Sequence, residues 1–161
     1  MIYSTLVTLH IIFAGIWISN LLADSFFRKQ IITSKNSSDE RKFINIYLKF
    51  INFLSSISAT GILLTGILLV LNSGYGFFRM TDNHWLATKQ ILMVVLLLII
   101  GIIIIPTAKK LRASLGSDYE SKNNLSDESR SLLKKLFNFN TIINIIVIIN
   151  FLLAITHRYI G

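Results

Sequence analysis

The chain has 161 residues, of which 53% are hydrophobic and only 15% are charged, and it contains no cysteine. Soluble domains carry about a quarter charged residues, so this composition excludes an ordinary water-soluble domain. The lack of cysteine excludes disulfide scaffolds, thiolate zinc sites, iron–sulfur clusters and cysteine nucleophiles. In so apolar a chain, the net charge of +8 indicates membrane orientation rather than binding to nucleic acid.

Four apolar segments are long enough to cross a bilayer, which takes about 20 residues of helix. They make up more than half of the chain, and the connections between them carry nearly all of the charge. The sequence therefore predicts an all-α integral membrane four-helix bundle, formed as one domain by residues 1–161 in contact with the lipid bilayer. The predicted spans cover residues 2–22, 47–71, 86–105 and 137–156.

The basic residues divide sharply between the connections. The first and third connections with their flanks hold thirteen of the sixteen lysines and arginines, whereas the second connection has only Arg79 and the C-terminal tail only Arg158. Basic residues concentrate on the cytoplasmic side of membrane proteins. We therefore expect a multi-pass protein of the cell's inner or plasma membrane, with both termini on the non-cytoplasmic side.

Local signals mark where several helices begin and end. Ser37 followed by Glu40 has the spacing of a capping box, and Ser126 is a candidate N-cap for the fourth helix. Both positions precede the apolar segments, so the second and fourth helices are predicted to begin before the membrane. Pro106 is expected to close the third span, while the lysines beyond it indicate that a helix resumes.

All three histidines fall on the predicted outer side, together with one lysine inside a span. His10 lies about two turns into the first span, His84 precedes the third, and His157 ends the fourth. Lys89 lies five residues inside His84, and no carboxylate is expected at its depth. A lysine within a span costs a few kcal/mol, so Lys89 either extends to the interface or faces an anion supplied by a ligand.

Each polar residue in the spans has a structural and a functional interpretation. His10 is either hydrogen-bonded to a hydroxyl of the second span, for which Ser55, Ser56, Ser58 and Thr60 are the candidates, or an axial ligand of a haem iron. His84 and His157 are either solvated at the interface or metal ligands. Asn140 and Asn144 share one helix face, which should point into the bundle and there make interhelical hydrogen bonds.

Three short motifs occur in the order of the spans. The first is Leu9-His10 with Trp17 seven residues later, the second is Trp85-Leu86 with Lys89, and the third is Phe137-Asn138 with Thr141. This set resembles the HemJ-type protoporphyrinogen IX oxidases and the related CopD-like membrane proteins.

The resemblance implies a small helical bundle that binds b-type haem. His10 and Lys89 stand at the positions of that family's essential histidine and lysine, which makes them the candidate catalytic residues. Trp17, Asn140, His84 and His157 are the further candidates for contact with the cofactor, and His10, His84 and His157 are the candidate iron ligands. An enzyme of this kind would pass electrons from protoporphyrinogen towards the respiratory chain, so a porphyrin or a quinone-like molecule is an expected partner.

Two other functions remain open from the sequence. The first is a CopD-like protein that handles or transports copper through the outer histidines, although copper(I) prefers the sulfur ligands that this chain largely lacks. The second is a non-catalytic helical subunit of a larger membrane complex. A homo-oligomer is a further possibility, and no nucleic-acid partner is expected.

Overall fold

The computed structural model describes residues 2–37, 39–81, 83–120 and 125–160, without the side chains of residue 120 and residues 157–160. Every regular element in these ranges is helical, as the sequence predicts. The elements are α1 (Ile2–Thr33), α2 (Glu40–Ser73), α3 (His84–Ile99), a π-helical turn (Ile100–Ile104), α4 (Ile105–Glu120) and α5 (Asp127–Ile160).

Four helical units are long and apolar enough to cross a membrane: α1, α2, the continuous unit from α3 into α4, and α5. Each contains one predicted span and extends beyond it. Many large apolar side chains of these units are exposed, among them Leu22, Leu71 and Ile102, as expected for contact with lipid. The all-α four-helix membrane architecture is confirmed, whereas the side on which the termini lie stays a prediction.

The third span does not end at Pro106. The helix continues to Glu120 through the π-helical turn, in which Ile105 donates its backbone N–H to the carbonyl of Ile100, five residues earlier. Proline has no N–H and its ring crowds the carbonyl four residues before it. A widened turn directly ahead of Pro106 relieves this crowding, so the helix continues where the sequence pattern predicts an end.

The two predicted N-caps have different outcomes. Ser126 accepts a hydrogen bond from the backbone N–H of Ser129 and caps α5 as predicted. The prediction for Ser37 is wrong, because α2 begins at Glu40 with Asp39 as its N-cap. Ser37 still belongs to the preceding turn, where its hydroxyl donates to the carbonyl of Ser34.

The helices associate as two pairs, because α1 packs mainly on α2 while α3 and α4 pack mainly on α5. We call the end near the basic connections the basic half (residues 18–33, 40–57, 105–120 and 125–144). The opposite end is the histidine half (residues 2–17, 58–73, 84–99 and 145–160). The π-helical turn lies between the two halves.

The buried core is concentrated in the basic half. Its large side chains come from all four spanning units and include Ile31, Ile44, Tyr47, Leu111 and Leu133. Polar contacts also join the helix pairs there: Arg41 donates to the carbonyl of Asp118, and Arg130 forms an ion pair with Glu40 at 3.0 Å.

Candidate functional site

The predicted site residues occupy two separate places in the bundle. His10 and Lys89 lie in the histidine half, on helices that belong to different pairs. Trp17 and Asn140 instead line a cavity that extends into the basic half. The sequence analysis predicts that these residues form one site, whereas in the structure they lie at two locations.

The imidazole of His10 is held by α2. Its Nδ1 lies 2.8 Å from the hydroxyl of Thr65, and that hydroxyl donates its own proton to the carbonyl of Gly61 at 2.6 Å. With its one proton on that carbonyl, Thr65 accepts from His10 Nδ1, and in this tautomer the lone pair of Nε2 is available. An interhelical hydrogen bond to the second span is confirmed, but the predicted partners are wrong, because Thr65 lies one to three turns farther along α2 than they do. The bond also orients the ring as ligating imidazoles are oriented in metal sites.

Lys89 is half-buried on α3. Its ammonium lies 4.7 Å from the ring centroid of Trp85, a cation–π contact. Trp85 is itself anchored to α5, because its Nε1 donates to the carbonyl of Leu153. No carboxylate of the described residues forms an ion pair with Lys89.

The other two histidines were predicted to lie on the same side as this pair. His84 is exposed at the start of α3, and the side chain of His157 lies outside the described residues. Within the described ranges, no three histidine, aspartate or glutamate side chains converge on a point that could hold a metal ion. A metal role for His84 and His157 therefore stays a prediction.

A polar network built on Asp24 connects α1, α2 and α5. Tyr47 donates its hydroxyl proton to Oδ1 of Asp24 at 2.8 Å, and Asn144 donates to Oδ2 at 3.0 Å. Arg28, one turn along α1, forms an ion pair with Oδ2 at 2.8 Å. Asn140 donates to the hydroxyl of Tyr47 at 2.8 Å. The buried carboxylate is thus neutralised and hydrogen-bonded, as burial of a charge requires.

The residues of the third sequence motif lie beside this network and not beside His10. The guanidinium of Arg28 lies 4.8 Å from the ring centroid of Phe137 and donates to the hydroxyl of Thr141 at 2.8 Å. Asn138 is exposed, whereas Asn140 is buried. Two residues of the motif therefore position the arginine that neutralises Asp24.

A cavity of about 240 Å³ lies beside the network. The residues that α3, the π-helical turn and the first residue of α4 contribute are all apolar, and we call them the apolar wall (Leu97, Ile100, Ile104 and Ile105). The lining from α1, α2 and α5 is mixed, because apolar residues such as Trp17 and Leu63 lie among polar ones, which we call the polar wall (Asn20, Asn52, Ser55, Asn140 and Asn144).

The sequence analysis predicted part of this network and missed the rest. The prediction that Asn140 and Asn144 point into the bundle is confirmed, because both donate to groups of the other helix pair. Asp24 and Arg28 were assigned to the first connection, although their four-residue spacing permits an ion pair on one helix face. Tyr47 carries no sequence signal, since a tyrosine at the end of a span is ordinary interfacial composition.

The comparisons with known proteins give the family of the chain but do not indicate its function. Residues 4–158 match the family described as "Predicted integral membrane protein (DUF2269)", and the chain belongs to this family. No match was found among the curated proteins or among the solved structures. Membership agrees with the four spans, and the finer resemblance to HemJ-type oxidases stays a prediction.

Proposed function

We propose that this member of the DUF2269 family is a membrane redox protein that binds b-type haem, with His10 as an axial ligand. The observation that supports the proposal is the hydrogen bond from His10 Nδ1 to Thr65, which leaves Nε2 as an electron-pair donor. A haem iron already has four ligands from the porphyrin, so one oriented imidazole is enough to begin a site.

The histidine half suits a large planar cofactor better than the basic half. The cavity of about 240 Å³ is of the order that accepts a single ring and not a porphyrin. In the histidine half, His10 and Lys89 come from different helix pairs, with few buried side chains between those pairs.

Lys89 supplies a cation where a porphyrin carries carboxylates. It has no carboxylate partner among the described residues, so a haem propionate would satisfy a charge that is costly within a span. Bound haem would supply an iron that exchanges one electron at a time. The residues of this chain would hold the ring, orient His10 through Thr65 and balance the propionate charge. That the protein oxidises protoporphyrinogen IX rests on the sequence resemblance.

The first experiment is an absorption spectrum of the purified protein and of the His10→Ala variant. We expect a Soret band with b-type α and β bands, which His10→Ala abolishes or strongly shifts. The matched control is Thr8→Ala, at an exposed polar residue of the same helix, and it should leave the spectrum unchanged. An unchanged spectrum in His10→Ala refutes the ligand, and a colourless protein that binds copper favours the copper-handling function.

Substitutions of Lys89 separate its two possible roles. If Lys89→Arg retains haem while Lys89→Met loses it, the cation balances a propionate, because arginine keeps the charge but cannot ligate as a neutral amine. If both substitutions change the low-spin spectrum, Lys89 is an iron ligand. Unchanged haem content and spectrum in Lys89→Met would show that the side chain has no part in the site.

A further inference from the structure

The cavity beside the Asp24 network contains a buried polar atom without a partner. Asn20 lines the cavity, is only 4% exposed, and donates its amide Nδ2 to the hydroxyl of Ser55 at 2.9 Å. Its Oδ1 is buried and accepts no hydrogen bond. A buried acceptor left unsatisfied costs about 1–3 kcal/mol, so this oxygen is a site for a donor that the chain does not itself provide.

The charge of the site restricts the class of ligand. Asp24 also lines the cavity, but its charge is balanced by Arg28. Tyr47 and Asn144 donate hydrogen bonds to its carboxylate, and Asn140 donates to Tyr47. A charged ligand would therefore enter a low-dielectric space without a counter-charge, at high cost. The ligand should be neutral.

The walls of the cavity restrict its shape. Leu97, Ile100, Ile104 and Ile105 line the cavity with apolar side chains only, on helices other than the one that carries the unsatisfied oxygen. A cavity near 150 Å³ is known to accept benzene, so about 240 Å³ suits one substituted ring. Water alone would satisfy the polar wall and leave the apolar wall poorly solvated.

The cavity also reaches a surface between helices. Ser56 and Thr60 of α2 line it and are exposed, and α2 does not pack closely on α3. Their hydroxyls lie within an apolar span, so this side faces the bilayer rather than bulk water. A ligand that dissolves in the membrane can therefore reach the cavity laterally.

We propose that this cavity binds a neutral hydroxylated six-membered ring, a phenol or the headgroup of a quinol, which donates its O–H to Oδ1 of Asn20. The inference rests on the cavity and not on haem. Asn20 acts by binding the ligand, and the apolar wall, which includes the π-helical turn, covers one face of the ring.

The test titrates the full-length protein in lipid nanodiscs with 4-fluorophenol and with 4-fluoroanisole, whose methyl ether has no O–H, and follows binding by ¹⁹F NMR. We expect saturable binding of the phenol that is at least about tenfold tighter than that of the anisole, as one hydrogen bond to a buried acceptor provides. Asn20→Leu should abolish this preference. The control is Asn150→Leu, because Asn150 also has a buried Oδ1 without a partner but does not line the cavity.

A second variant covers the case in which Asn20→Leu fails to fold by circular dichroism. Ala59 lines the cavity, so Ala59→Phe should fill it and weaken binding of both probes. Non-saturable partitioning of both probes, equal affinity for the phenol and the anisole, or a preference that survives Asn20→Leu would each overturn the proposal. The source of the bound ring is tested by competition with a short-chain benzoquinol kept in its reduced form. Displacement of 4-fluorophenol supports a lipid quinol as the source, and no displacement supports a free phenol.

Discussion

The basic half and the histidine half contain the same four spanning units, but different forces hold them together. In the basic half, buried apolar side chains meet from all four units, and hydrogen bonds link α1, α2 and α5 around Asp24. In the histidine half, buried large side chains are few, and the contacts lie mainly within each helix pair.

The difference shows how a small membrane protein can combine a fixed scaffold with an adaptable region. Helix association in lipid gains little from apolar burial and depends on close packing and on polar contacts between helices. The basic half has both, and its polar contacts join the two helix pairs. In the histidine half the polar contacts of His10 with Thr65 and of Trp85 with Leu153 stay within a helix pair, beside close packing such as that of Phe13 against Gly61. Conformational change should therefore begin in the histidine half.

Loss of Asp24 should have the largest effect on stability. Asp24→Ala leaves Arg28 without its partner and removes acceptors from Tyr47 and Asn144, so the free energy of unfolding should fall by about 3 kcal/mol. Denaturation in mixed micelles measures this change. The control is Asp39→Ala, since Asp39 is exposed, and equal effects of the two substitutions would contradict the role of the network.

Two glycines test the packing of the histidine half. A Cβ on Gly61 would overlap the ring of Phe13, so Gly61→Ala should force α1 and α2 apart and cost about 2 kcal/mol. A Cβ on Gly15 meets no atom within 4 Å, and Gly15→Ala should instead stabilise the helix by about 0.5–1 kcal/mol. Thermal denaturation of both variants gives the comparison, and a stabilising Gly61→Ala would show that the helices there are not closely packed.

A smaller effect is expected from removal of one hydroxyl in the network. Tyr47→Phe keeps the ring contacts with Phe137 but leaves Asn140 and Oδ1 of Asp24 each short of a hydrogen bond, which should cost about 1.5 kcal/mol. Tyr119→Phe, at a residue that is 75% exposed, is the matched control and should be neutral in the same denaturation experiment. A neutral Tyr47→Phe would mean that the apolar core alone stabilises the basic half.

Single-cysteine variants should change the free energy of unfolding least, and they test on which side of the membrane each half lies. Ser37→Cys and Ser121→Cys should resist an impermeant thiol reagent in intact cells, whereas Ser73→Cys should react, because the basic connections are predicted to be cytoplasmic. The opposite labelling pattern would place the basic half outside. The chain has no native cysteine, so each variant carries a single reactive thiol.

The sequence predicts the four helices well because a bilayer requires long apolar helices whose backbone bonds are internal. It does not predict which polar residues meet, since that depends on helix rotation and pairing. Asn140 and Asn144 were assigned to the interior from their spacing, but the sequence does not indicate that Asp24 is their partner from another helix. Trp17 and Asn140 were grouped with His10 as candidate contacts of one cofactor, whereas both line the cavity beside Asp24.

The π-helical turn gives the third span one residue more than regular α-helical winding would use. Past this turn, Ala108, Leu111 and Leu115 are buried in the bundle. Deletion of one residue in Ile100–Ile104 can therefore be met by rewinding to α-helix, with the same faces still buried. A deletion within the unbroken α1 would instead rotate every later residue of that helix by about 100°. The third span alone thus has a built-in tolerance to a change of length.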